Sequence, residues 1–190
     1  MHMQGYQPVT TPLISPQVPA GDEHRVGTIF NAIQEHIGFI PDGLRLYSLS
    51  PPLLETFVGN IGYFNGGGTR LSPELTATIR YLVSWQAGCS FCVDMNEGLL
   101  VNLGKELEVI RAARNNPEAA PLAEQDKPLL RLALKSVNSP EFVNQDDLDQ
   151  ARAYGWQDRD LFDAVAQAAS IRAFNLILRT FKVEHQGALA

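Results

Sequence analysis

Residues 71–96 read LSPELTATIRYLVSWQAGCSFCVDMN, and this stretch decides the fold. Ser72-Pro73 marks a helix start, because serine can cap free N–H groups while proline takes the first helical position, where no donor is needed. Leu75, Ile79, Leu82 and Val83 then recur at helical spacing and predict one apolar stripe. Gly88 breaks that helix. The only two cysteines of the chain, Cys89 and Cys92, follow at the start of another, whose Met95, Leu99, Leu100 and Leu103 are expected to face inward up to a stop at Gly104.

Working outward, the same 3.6-residue period recurs. Val26, Ile29, Phe30, Ile33 and Ile37 make one apolar face, and Ser50-Pro51 and Ser139-Pro140 repeat the start signal of Ser72-Pro73. Leu129, Leu130, Leu132, Ala133 and Leu134 predict a further helix after a charged connector from Lys105 to Lys127. Asp146 to Tyr154 is next, and a last helix runs from about Asp158 to Val183 with Leu161, Val165, Ala168, Ala169, Phe174, Ile177, Leu178 and Phe181 inward. No segment alternates as a strand does. The expectation is an all-α, single-domain helical bundle over residues 22–190, preceded by an extended arm over residues 1–21, where four prolines oppose helix formation.

Bulk composition removes several functions. The chain has 190 residues, 45% of them hydrophobic, enough for one sizeable core. Its 15 Lys and Arg against 21 Asp and Glu give a net charge of −6, the wrong sign for a nucleic-acid binder. No stretch reads as a membrane span of ~20 residues. The N-terminus lacks both the positive start and the apolar core of a secretory signal, so the chain reads as cytoplasmic. In that compartment a Cys-x-x-Cys pair is catalytic, redox-active or metal-binding more often than a structural staple.

The chemistry follows from the spacing. Three residues turn about 300° around a helix, so both sulfurs share a face and can close a small reversible disulfide. Helix N-termini favour the thiolate and lower the ordinary cysteine value. One cysteine would then attack, and its neighbour would resolve the product.

Taken together, the block from Leu71 to Glu74, through Arg80 to Ser84 and on to Cys89–Met95, resembles the alkylhydroperoxidase D-like branch of the carboxymuconolactone decarboxylase family. Weaker similarity extends to Ile37–Pro41, Ser50–Leu54, Ala153–Trp156, Phe174-Asn175 and Arg179, pieces that look like the peroxidase-related subgroup. The resemblance implies an all-helical trimer or hexamer that uses the Cys89–Cys92 disulfide in place of a cofactor, a hydroperoxide or disulfide as substrate and an external thiol as reductant. It also implies a proton relay from a glutamate 12 residues before the first cysteine and a histidine four after the second. Those positions hold Ala77 and Asn96. Alanine offers nothing polar. Asparagine can donate and accept but cannot titrate, and losing a general base costs about 10²–10⁴-fold in rate.

Catalytic candidates are therefore Cys89, Cys92 and Asn96, with Glu74, one turn before Ala77, as the candidate substitute acid or base. Tyr81, Trp85 and Gln86 are candidate pocket-lining residues, or else ordinary core and interface. Asn175 and Arg179 share a face of the last helix, for packing, an interface or the pocket. No metal site is expected, since two cysteines and four scattered histidines lack ligand spacing. The glycine-rich Asn65–Thr69 loop lacks the strand and lysine of a phosphate loop.

Two function classes remain: a thiol-dependent peroxide or disulfide reductase, and a non-enzymatic relative that serves as redox sensor or binds a small molecule or partner. A decarboxylase or lactonase would also want a titratable histidine. If the missing base limits the rate, Asn96→His raises hydroperoxide turnover in a coupled thiol assay; an unchanged rate places the bottleneck elsewhere.

Overall fold

The computed structural model describes residues 11–183, so residues 1–10 of the expected arm lie outside the described part. Residues 11–21 contain no helix or strand; Leu13 N–H donates to the Phe181 carbonyl at 2.9 Å, and Val18 packs on a small cluster around Val26, Leu44 and Leu54. Nine α-helices follow among the described residues, and no strand. They are α1 (Glu23–Ile37), α2 (Asp42–Tyr47), α3 (Pro51–Asn65), α4 (Pro73–Ala87), α5 (Ser90–Asn102), α6 (Leu107–Ala112), α7 (Lys127–Asn138), α8 (Gln145–Arg152) and α9 (Asp158–Thr180).

The three Ser-Pro signals behave differently. Ser72 Oγ accepts the Leu75 N–H at 3.1 Å and caps α4. Ser50 precedes α3 without a side-chain cap, and Ser139-Pro140 opens only a short 3₁₀ turn, Pro140–Phe142. The Lys105–Lys127 connector holds α6 and two 3₁₀ turns, too short to show a full apolar period.

The core is built on α4, with α5 on one side and α9 on the other. The Gly88 turn joins the end of α4 to the start of α5, hydrogen bond Tyr81–Glu97 at 2.9 Å pairs their middles, and salt bridge Lys105–Glu74 at 3.8 Å joins the start of α4 to the chain just past α5, so these helices run antiparallel. Along α9 the partners advance together: Arg80 with Gln167 at 3.0 Å, Ser84 with Asn175 at 3.1 Å, and the Ala87 carbonyl with Arg179 at 2.7 Å. Helix α9 thus runs parallel to α4. Leu75, Ile79, Leu82 and Val83 are fully buried between them, and α7 adds Leu129, Leu130 and Ala133.

Some side chains lie outward where inward ones were expected. Ile37 and Leu99 are exposed at the surface of the described chain, as is Ala169. Helix α9 is long, and by length and composition its most apolar stretch could cross a membrane; half of that stretch is buried in the bundle, as in a core helix. Its outer stripe carries Phe162 and Leu176, 71% and 67% exposed, with Ala169 and Ala173 between them.

A short α2 fixes α9 against the rest. Tyr47 of α2 and Phe57 of α3 stack at 4.8 Å between centroids, and Phe57 stacks on Phe174 of α9 at 4.4 Å. Gly43 makes room for this contact, because a Cβ there would meet Phe174 at 2.7 Å, Phe91 at 3.2 Å and Leu178 at 3.3 Å. Gly43→Ala therefore overpacks the junction and costs about 1–3 kcal/mol, read as a fall in melting temperature of roughly 2–4 °C per kcal/mol.

Candidate functional site: a buried dithiol beneath the last helix

Helix α4 ends at Ala87, and Gly88 takes the left-handed conformation (φ 66°, ψ 33°) that an L side chain resists. The Gly88 N–H bonds the Trp85 carbonyl at 3.0 Å and the Cys89 N–H bonds the Ser84 carbonyl at 3.0 Å, which closes the helix end. One residue later the chain is already at the N-cap of α5. That residue is Cys89 (φ −98°, ψ 93°), and Cys92 lies in the first turn. Both are free thiols and nearly sealed, 1% and 2% exposed.

The two thiols are driven apart in acidity. Cys89 falls below the ordinary thiol value, first because the Cys92 thiol hydrogen-bonds to it; burial opposes this, and the Cys92 backbone N–H, the Asn175 amide and the Arg179 charge assist. Cys92 rises well above the ordinary value, first through burial and then because it faces Cys89; hydrogen bonds from Asn175 and Ser84 pull the other way. Cys89 is thus the more acidic of the pair, and Cys92 the one that keeps its proton longer. The leading cause is the neighbouring Cys92 thiol rather than the helix start that the spacing suggested.

The polar groups around the sulfurs differ from the relay positions. Ala77 is fully buried and apolar. Asn96 is buried, but its Nδ2 donates to the Cys92 carbonyl at 2.7 Å, so it braces the backbone of α5 and does not reach past it as a base would. Glu74 is not brought to the dithiol. It sits at the far end of α4, ten residues and about 15 Å of helix from Ser84, where it pairs with Lys105 and helps burial raise the Asp126 carboxyl. An antiparallel partner whose first turn carries the cysteines must meet the last turn of α4, and Glu74 is in the first.

Gln86 also leaves the group: it is exposed and accepts from Asn138 Nδ2 at 2.7 Å. Tyr81 and Trp85 instead stand by an open cleft of about 500 Å³, lined by Trp85, Gly88, Ser90, Glu97, Arg111 and Arg114 among others, on the outer side of the Gly88 turn. Glu97 is its hub, receiving Tyr81 at 2.9 Å, Arg111 at 2.8 Å and Arg114 at 2.6 Å. Burial pushes the Glu97 carboxyl up, but hydrogen bonds from Arg111 and Tyr81 and the Arg114 charge outweigh it and hold it below its usual range. Burial pushes the Tyr81 phenol up to about 12, so it stays a donor at neutral pH. The Arg114 guanidinium lies 4.3 Å from the Trp85 ring centroid.

Sequence reasoning missed Ser84 and the cleft arginines. It left Asn175 and Arg179 open, and the structure turns both toward the dithiol: the Arg179 guanidinium lies 3.9 Å from where a Gly88 Cβ would be, and Asn175 is fully buried beside Ser84. Their i, i+4 spacing beneath a Cys-x-x-Cys helix was the available signal.

No family model matches the sequence, and no curated protein does. Solved structures do match. Over 97% of this chain and 96% of the other, it superposes at a TM-score of 0.83 and 19% identity on a peroxidase-related protein from Ralstonia eutropha JMP134 described as an alkylhydroperoxidase AhpD core. The fold is that of the alkylhydroperoxidase D-like proteins. A second such protein, peroxidase-related and from Silicibacter sp. TM1040, matches at a TM-score of 0.80 and 19% identity over 95% of this chain and 93% of that one. The debrominase Bmp8 matches at 0.65 and 19% identity over 96% and 94%. On this alkylhydroperoxidase D-like scaffold the Gly88 turn sets the two cysteines at the apex of the α4–α5 pair.

The opposed acidities give a direct check. Iodoacetamide labelling at neutral pH, mapped by mass spectrometry, modifies Cys89 ahead of Cys92. Lowering the pH through the depressed Cys89 value abolishes labelling, because the thiolate is then protonated, and Cys92 is labelled only on strongly raising it.

Proposed function

We propose that the chain is a thiol-dependent reductase of hydroperoxides or disulfides, with the redox-active Cys89–Cys92 pair in place of a bound cofactor. One observation carries the reading: two free cysteines at the N-cap and in the first turn of α5, with Cys89 made the more acidic chiefly by its contact with Cys92. In a hydroperoxide ROOH, the Cys89 sulfur attacks the terminal oxygen, the S–O bond forms and the O–O bond breaks. The leaving alkoxide takes the Cys92 proton and departs as ROH. The Cys92 thiolate then attacks the Cys89 sulfenic acid, closing the disulfide and releasing hydroxide, which solvent protonates to water. An external dithiol reduces the disulfide and is itself oxidised. With a disulfide substrate, the Cys89 thiolate attacks sulfur and Cys92 resolves the mixed disulfide.

Because the thiols are nearly sealed, local opening around the Gly88 turn must precede attack, and the Trp85–Arg114 cleft on its outer side is the approach the geometry offers. The proposed assembly is a homo-oligomer. The Phe162–Leu176 stripe supports it, because contiguous exposed apolar surface on the longest helix favours burial against another copy. A cytoplasmic location suits a dithiol that must be re-reduced.

Purified protein with excess dithiothreitol consumes an organic hydroperoxide. Cys89→Ser abolishes the reaction, while pre-reduced Cys92→Ser freed of dithiothreitol consumes one equivalent and keeps a sulfenic acid on Cys89 that dimedone traps. No consumption above the protein-free control, with a pair inert to thiol titration, overturns the enzymatic reading in favour of a sensor or binding protein. Assay of 2,3,4-tribromopyrrole, with which a variant of the debrominase forms a complex, runs in parallel. Turnover of it alone redirects the reading to dehalogenation.

A further inference from the structure

Ser84 and Asn175 are both fully buried, on different helices, and they meet at the dithiol. Asn175 Nδ2 donates to Ser84 Oγ at 3.1 Å. That bond occupies an acceptor position of the serine oxygen and leaves its O–H free to point at Cys92. The other half of the amide, Asn175 Oδ1, is buried with no hydrogen-bond partner. An orphaned acceptor in a sealed core costs about 1–3 kcal/mol, so packing alone does not account for an amide here. The residue before it, Phe174, stacks on Phe57, which fixes this part of α9 against α3.

We propose that Asn175, together with Ser84, supplies the dithiol with the polar environment that Ala77 and Asn96 do not, solvating each sulfur as it takes up charge where a titrating relay would move a proton. The proposal rests on the thiol-reductase reading and names the group that enables it. Asparagine suits this duty because it carries donor and acceptor on one side chain. Its N–H groups favour whichever sulfur is a thiolate. Its Oδ1 accepts no hydrogen bond in the reduced structure. Ser84 bears on Cys92, the sulfur that must become anionic only in the second step.

Other charges near the pair do not take this place. Arg179, from the same helix, acts on Cys89 and is held on the Ala87 carbonyl at 2.7 Å. From α4, Glu74 lies at the far end; from α5, Asp94 and Glu97 line the outer cleft. From α2, Asp42 and Arg45 are half-exposed and pair with each other at 3.5 Å, and Tyr47 stacks in the aromatic junction.

The test is a pH titration of thiolate absorbance in the full chain, which requires neither substrate nor access to the buried sulfurs. Asn175→Leu keeps the volume and removes the amide. The Cys89 midpoint then moves up by about one pH unit, a tenfold loss of thiolate below the midpoint. Asn175→Asp preserves the shape, moves the midpoint further because a carboxylate repels the thiolate, and carries the test if the leucine variant does not fold. Ser84→Ala raises the Cys92 midpoint and leaves that of Cys89 in place. Unchanged midpoints in a variant with wild-type circular dichroism overturn the proposal, since a merely structural amide would alter melting temperature alone. Shifted midpoints in a protein inactive toward peroxide and disulfide keep this inference and reject the reductase. Unshifted midpoints in an active enzyme do the reverse.

Discussion

Reversal of the chain at Gly88 is the constraint on which the rest depends. A left-handed residue closes α4, and the next residue already caps α5. With so little chain between them the helices have no option but to lie side by side and antiparallel, with the tight turn at one end of the pair. Whatever occupies the first turn of α5 is then held under the last turn of α4. Here that is two sulfurs, each close to unpaired N–H groups of a helix start. The lengthwise march of Gln167, Asn175 and Arg179 along α4 brings the third helix over the same end. Three helices thereby bring two thiols, one amide and one hydroxyl into a buried space, with the Arg179 guanidinium at its edge.

Much of the scaffold was legible in the sequence because it is carried by local rules. Leu75, Ile79, Leu82 and Val83 announce their helix by period, Ser72-Pro73 its start and Gly88 its end, and each behaves as the physics of caps and stripes requires. The failures share a cause. Helices α2 and α6 have six residues each, less than two full turns, and show no period to read. Ile37, Leu99 and Ala169 fit an apolar face by spacing, yet period says only which residues lie together and not whether a neighbour covers them.

The site was legible in one half. Cys89 and Cys92 declare themselves because their relation is within a single turn. Everything that tunes them is brought from elsewhere: Ser84 from the other side of the turn, Asn175 and Arg179 from more than eighty residues downstream. Glu74 illustrates the opposite error. Sequence proximity to Ala77 made it attractive, but helical rise carries it away from the cysteines and into a pair with Lys105. Likewise Asn96, at the right offset, spends its donor on the Cys92 carbonyl.

Arg179 ties the turn to the sulfur chemistry in a further way. It grips the Ala87 carbonyl at 2.7 Å and also favours the Cys89 thiolate, so it is shared between helix end and charge. Linkage makes the benefit mutual: a fold that lowers the pKa of a group is itself stabilised by that group's ionisation. The contribution is complete above the pH at which the unfolded thiol ionises, and it fades as pH falls through the depressed folded value. Oxidation erases it at any pH, because a disulfide carries no charge. The Ala87 carbonyl holds Arg179 whether or not that charge is present, so the grip on the turn and the electrostatic aid to Cys89 are separable.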